Sequence, residues 1–147
     1  MEVINSSMYI NSEEDSYATL DVAVLDLYSG NIEFMKNGAC PTFIKNKKNV
    51  NVVKSISLPA GILDKIDLVI YDKDLSDGDI IVMCTDGILD ANNEYENKEI
   101  WIKNILEEIE TENVQKIAKI ILKEAIDYSF GVPKDDMTVI AIKVKKI

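Results

Sequence analysis

The chain has 147 residues, 47% of them hydrophobic and 29% charged, the make-up of one globular domain with a core of its own. It contains no histidine, which excludes Ser-His-Asp and Cys-His nucleophile systems and nearly every catalytic zinc site. A formal net charge of −10 argues against nucleic acid as a partner, because its phosphates would be repelled.

Residues 2–10 read as the end of a helix, and 11–16 as a polar, acidic loop. The stretch 17–28 reads as a long strand with apolar residues on both faces, which predicts cover on two sides and a second sheet behind it. Asp21 falls in that stretch and is expected to be a buried structural carboxylate. Ser29-Gly30-Asn31 is a hairpin turn into a strand over 32–36. Asn37-Gly38-Ala39-Cys40-Pro41 breaks the pattern before a strand at 42–45, and Lys47-Lys48-Asn49 turns into another over 50–56. The expectation for this part is a meander of antiparallel strands. Lys45, Lys47 and Lys48 read as solvated loop charges.

Leu58-Pro59-Ala60-Gly61 is a kinked connector, since proline lacks a donor and glycine permits unusual dihedrals. A strand follows from Leu68 to Tyr71, then an Asp77-Gly78 turn without function, then a strand over 80–84. After Asp86-Gly87 the period becomes helical. Ile102, Ile105, Leu106 and Ile109 mark one helix face, and Val114, Ile117, Ala118, Ile121, Leu122 and Ala125 another. Trp101 is expected to anchor the first of these helices to the core. Phe130-Gly131-Val132-Pro133 ends the second, and a last strand runs over 137–144. Strands, then two helices, then one closing strand make an α+β pattern.

No apolar run approaches the roughly 20 residues of a membrane helix. Residues 1–6 lack the basic-then-apolar layout of a secretory signal. Cys40 and Cys84 are in no metal-type spacing and read as reduced thiols, so the chain reads as cytoplasmic. An anchor elsewhere in a longer parent protein is compatible with that.

Two acidic motifs carry the chemistry. Thr85-Asp86-Gly87 stands at the end of one apolar strand, and Lys134-Asp135-Asp136-Met137-Thr138 at the start of another. Strand ends hold side chains rigidly, and carboxylates brought together repel one another unless a cation or proton lies between them. Asp86 and Asp135 are therefore candidate ligands of Mg²⁺ or Mn²⁺, which prefer hard oxygen donors.

In order along the chain, Ala18-Thr19-Leu20-Asp21, Asn37-Gly38-Ala39-Cys40-Pro41, Leu58-Pro59-Ala60-Gly61, Thr85-Asp86-Gly87-Ile88 and Asp135-Asp136-Met137-Thr138-Val139 resemble the metal-dependent protein phosphatases of type 2C. The resemblance is nearest to the bacterial branch that contains stage II sporulation protein E. It implies an α-β-β-α sandwich of two antiparallel sheets. It further implies two divalent metals, Mn²⁺ or Mg²⁺, and hydrolysis of phosphoserine or phosphothreonine by a metal-activated water. The partner implied is a phosphorylated sigma-regulatory protein of the anti-anti-sigma kind. By the same resemblance Asp86 and Asp135 are metal ligands, Gly87 allows close backbone approach, and Asp136 has a neighbouring role.

The family's first Asp-Gly motif, source of a bridging carboxylate, is absent upstream of Tyr17. The expectation is thus a single partial phosphatase domain over 1–147, incomplete at the N-terminus and inactive alone. Its exposed core surface or sheet edge would favour a homodimer. The alternative reading is a non-catalytic partner-binding module derived from the same fold.

Overall fold

Ile32, Phe34 and Lys36 are buried and alternate with the more exposed Asn31, Glu33 and Met35, the period of two that makes Asn31–Asn37 (β2) a half-buried strand. In the computed structural model, which describes residues 1–11, 17–47, 49–65 and 69–146, β2 is the middle of a three-stranded antiparallel sheet. Leu20–Leu25 (β1) flanks it on one side and Ile70–Asp74 (β5) on the other. The described residues form two compact units, and this sheet belongs to Met1–Ala39 with Lys54–Leu75.

The β1–β2 turn is built by Asp26, whose Oδ1 accepts from the backbone N–H groups of Tyr28 and Ser29 at 2.8 and 3.3 Å. Those two N–H groups hold the Asp26 carboxyl below its ordinary range. Gly30 closes the turn at φ 77°. Contrary to the expected two-sided burial, no residue of β1 is buried, and Val22 and Val24 are 37% and 50% exposed. The physical reason is position: among the described residues β1 is an edge strand, paired only with β2.

The face opposite Val22 holds the Asp21–Lys36 ion pair, set in cross-strand register, with the Lys36 side chain fully buried. Asp21 is thus a paired carboxylate, as a structural role requires, but only partly buried where the sequence predicts full burial. The N-terminal helix Glu2–Asn11 (α1) is attached to the same unit through Asn5, which is 1% exposed. Its amide donates to the carbonyls of Leu63 and Asp64 and accepts from the Gly61 N–H at 2.9 Å. Just before the kinked connector, Ser57 and Ser55 donate to the Lys36 carbonyl, and a Cβ on Gly38 would fall 2.6 Å from the Pro59 ring. The expected strand start at Leu68 lies outside the described residues, and β5 begins at Ile70.

The second unit, Cys40–Val53 with Ser76–Ile147, holds the other sheet. It consists of Thr42–Lys45 (β3), Val50–Val53 (β4), Ile80–Cys84 (β6) and Val139–Lys143 (β7), in the order β4-β3-β6-β7 and antiparallel throughout. The meander expectation is corrected here: β2 and β3 are consecutive in sequence, yet they lie in different sheets because Gly38 to Pro41 carries the chain out of the first.

Three helices complete this unit: Asp86–Leu89 (α2), Glu99–Glu108 (α3) and Val114–Tyr128 (α4). Ile102 and Leu106 of α3, and Ile117, Ile121 and Ala125 of α4, recur at helical spacing and are fully buried. They pack with Phe43, Val50, Ile80 and Val82 of the sheet. Trp101 is 2% exposed and its indole N–H donates to the Leu89 carbonyl at 3.2 Å, so it anchors α3 as expected. Asn113 caps α4 by accepting from the Lys116 N–H. Lys45 is not a solvated loop charge: its ammonium donates to the Leu106 carbonyl near the C-terminus of α3, where cations are favoured. Asp77 serves as a turn residue, accepting from the Lys146 N–H at 2.9 Å.

Candidate metal and phosphoryl site

The antiparallel pairing of β6 with β7 sets Cys84 opposite Val139, so the end of one strand and the start of the other meet. Sequence positions 86 and 135 are thereby neighbours in space. Beyond the last ladder pair the contact continues through Thr85. Its N–H donates to the Thr138 carbonyl at 3.1 Å. Its hydroxyl accepts from the Thr138 N–H and donates to the Asp136 carbonyl, each at 3.0 Å. One side chain thus ties the two acidic motifs together, which is why the Thr85 hydroxyl does not cap α2.

Gly87 is required by the same approach. A Cβ there would lie 2.4 Å from the Asp136 carbonyl oxygen, inside any permissible contact. Asp136 therefore enters the junction through its backbone. Asp86 Oδ1 accepts from the Gly87 N–H at 3.0 Å, and Asp135 Oδ1 accepts from the Asp136 N–H at 2.7 Å. Each bond fixes one carboxylate oxygen.

Asp86 and Asp135 line a single cavity of about 410 Å³. Asp90, Phe130 and Lys134 share its lining; the sequence assigned none of them a role in the site, although Lys134 opens the second acidic motif. Asp90 lies one helical turn past Asp86 and pairs with Lys98 at 2.8 Å, an exposed contact. Phe130 is 95% exposed and holds φ 53°, an uncommon backbone state for a bulky residue. The following Gly131, also at positive φ, was the sequence signal for an unusual turn.

Among the described residues no group of three or more Asp, Glu, Cys or His side chains is gathered in a way that could hold a metal ion. The donor set nevertheless suits a hard cation in part. Mg²⁺ and similar ions are commonly held by one or two carboxylates, with water and phosphate oxygens completing the shell.

Over 98% of its length the chain matches the phosphatase domain of the cell fate determinant SpoIIE from Bacillus subtilis (Mn presoaked), with a TM-score of 0.81 and 30% identity, covering 64% of that chain. It also matches the structure of the PP2C phosphatase domain and a fragment of the regulatory domain of the same protein. There the TM-score is 0.86 at 32% identity, over 96% of this chain and 43% of that one. The fold is that of PP2C-type phosphatase domains, and these are hydrolases.

Stage II sporulation protein E of Bacillus subtilis (strain 168) is 32% identical over 144 residues, 98% of this chain and 17% of that protein. The protein of the same name from Priestia megaterium is 32% identical over 142 residues, 97% of this chain and 24% of that protein. The chain thus spans about a fifth of the length of these relatives. It belongs to the Stage II sporulation protein E (SpoIIE) family, whose model matches residues 1–145.

Proposed function

We propose that residues 1–147 form one part of a metal-dependent serine/threonine protein phosphatase domain, with Asp86 and Asp135 as ligands of Mn²⁺ or Mg²⁺. The substrate on this reading is a phosphoserine or phosphothreonine of a sigma-regulatory, anti-anti-sigma-like protein, and the setting is the cytoplasm of a sporulating cell. The observation that carries the proposal is the β6–β7 junction, which delivers two carboxylates 49 residues apart to one cavity. Membership of the SpoIIE family supports the substrate class.

When bound, a divalent cation supplies positive charge that stabilises the phosphoryl oxygens and acidifies water. The residues of this chain then have distinct tasks. Asp86 and Asp135 present hard oxygens from rigid strand ends. Thr85 and Gly87 fix their separation. Lys134, on the cavity wall, adds a cation for an anionic substrate, and the exposed Phe130 offers an apolar lip to the flanking peptide. Only two motif carboxylates meet here among the described residues, so we expect little turnover from this chain alone.

Two readings remain distinct. The same scarcity of ligands among the described residues favours, as the second, a partner-binding module without catalysis. Calorimetric titration of Mn²⁺ into the chain separates them. The phosphatase reading expects saturable binding that disappears in Asp86→Asn/Asp135→Asn. Identical binding in the double variant, or none in the wild type, overturns the assignment of these two ligands. We also propose a homodimer formed along β7, detectable as a mass that rises with concentration in sedimentation.

A further inference from the structure

Helices α3 and α4 leave a groove of about 430 Å³ on their outer side. Its lining is aromatic and aliphatic, with Tyr95, Trp101, Ile105, Ile120 and Tyr128 among its residues. Tyr95, Ile120 and Tyr128 are each more than a third exposed, so apolar side chains of the lining reach solvent there. The charged side chains of the lining are Glu108 and Glu124, and the lining holds no cation. No ion pair among the described residues takes up either carboxylate. Burial above all, then Glu124, Tyr95 and Glu94, push the Tyr128 phenol above the ordinary range, against a hydrogen bond with Asn92 that lowers it.

We propose that this groove docks a basic amphipathic peptide segment of a partner protein. Its apolar anchors rest on Ile105, Ile120 and Tyr128, and its Lys or Arg side chains pair with Glu108 and Glu124. The argument is complementarity of two kinds. A groove of this size, between helices and walled by aromatic rings, takes the apolar face of a helix or a few anchor side chains. Two unpaired carboxylates beside exposed tyrosine rings favour cations twice over, through ion pairing and through the ring faces. An acidic segment is repelled from the same place, and a neutral one leaves the carboxylates without partners.

Tyr128 also lines the cavity that holds Asp86 and Asp135, so the groove and the site share a wall. Trp101 links them a second time, through its bond to the Leu89 carbonyl at the end of α2. A docked segment therefore presses on the element that begins with Asp86. The proposal does not depend on metal binding at that residue.

Trp101 is the only tryptophan of the chain and reports the groove directly. The probe is a synthetic helical peptide with a leucine stripe and lysines elsewhere, titrated into the intact chain and read by tryptophan emission and calorimetry. Its counterpart carries glutamate in place of lysine. The expected result is a saturable emission change with the basic peptide and none with the acidic one. Affinity should fall about tenfold in Glu108→Lys/Glu124→Lys, given two partly exposed pairs. Glu2→Lys/Glu33→Lys makes the same change in net charge on exposed residues of the other unit and should leave affinity unaltered. Equal binding of both peptides overturns the proposal, as does absence of binding. So does an equal loss in the two charge-reversal variants, which would mark diffuse attraction to an acidic protein.

Discussion

At the scale of the residue, buried polar groups carry much of the specificity of the first unit. Asn5 makes three hydrogen bonds from one buried amide, joining α1 to the loop at Gly61 to Asp64. Removing it leaves a buried N–H and two carbonyls without those partners. Asn5→Ala should therefore cost about 1–3 kcal/mol of stability, measurable as a lower urea midpoint at unchanged m-value. A loss under about 0.3 kcal/mol would show that water replaces the amide without penalty. This residue was not visible in the sequence, where residues 2–10 read only as the end of a helix. Asp21 was legible because a carboxylate inside an apolar strand needs a partner. That the partner is a wholly buried lysine, Lys36, depends on cross-strand register and cannot be read from spacing along one strand.

At the scale of the element, β6 and β7 were legible because their apolar runs are continuous and bounded by turn residues. The two helices of the second unit were legible from their 3.6-residue period, and the ends of Asp86 and Asp135 on strands followed from both. The helix α2 was missed because four residues carry no period, and its start is set by the Thr85 junction. The pattern of β1 misled for a different reason. Valines at 22 and 24 look like a core face, but on an edge strand they are left exposed. The junction itself gives a test. Gly87→Ala places a methyl carbon 2.4 Å from the Asp136 carbonyl oxygen, so backbone must move. The expected cost is about 1–3 kcal/mol, with Mn²⁺ affinity reduced along with it, because the two motifs are forced apart. Unchanged stability in thermal unfolding would mean that the loop before β7 yields freely.

At the scale of the whole molecule, the sequence separated helices from strands well, but not which strands share a sheet. Strand neighbours are fixed by long-range pairing, and β3 joins β6 across more than thirty residues. The exposed edge has a consequence for assembly. Ile140 and Ile142 of β7 are 50% and 44% exposed on the face away from the helices, and β7 ends its sheet among the described residues. An open edge beside apolar side chains is a template for a second copy. Sedimentation should show concentration-dependent dimerisation that Ile140→Lys/Ile142→Lys weakens about tenfold or more. A sharp monomer at millimolar concentration would remove this interface. The β6–β7 register also bears on how the family can vary. The helical excursion from Asp86 to Asp135 leaves and returns at fixed points, so residues added to its exposed turns, such as 93–97, leave Cys84 facing Val139. A single deletion inside β7 has no such freedom: it brings a different residue opposite Cys84, exchanges the row that faces the helices for the opposite one and carries Asp135 away from Asp86. Length polymorphism among relatives should therefore collect in the helical excursion and stop at the two strands.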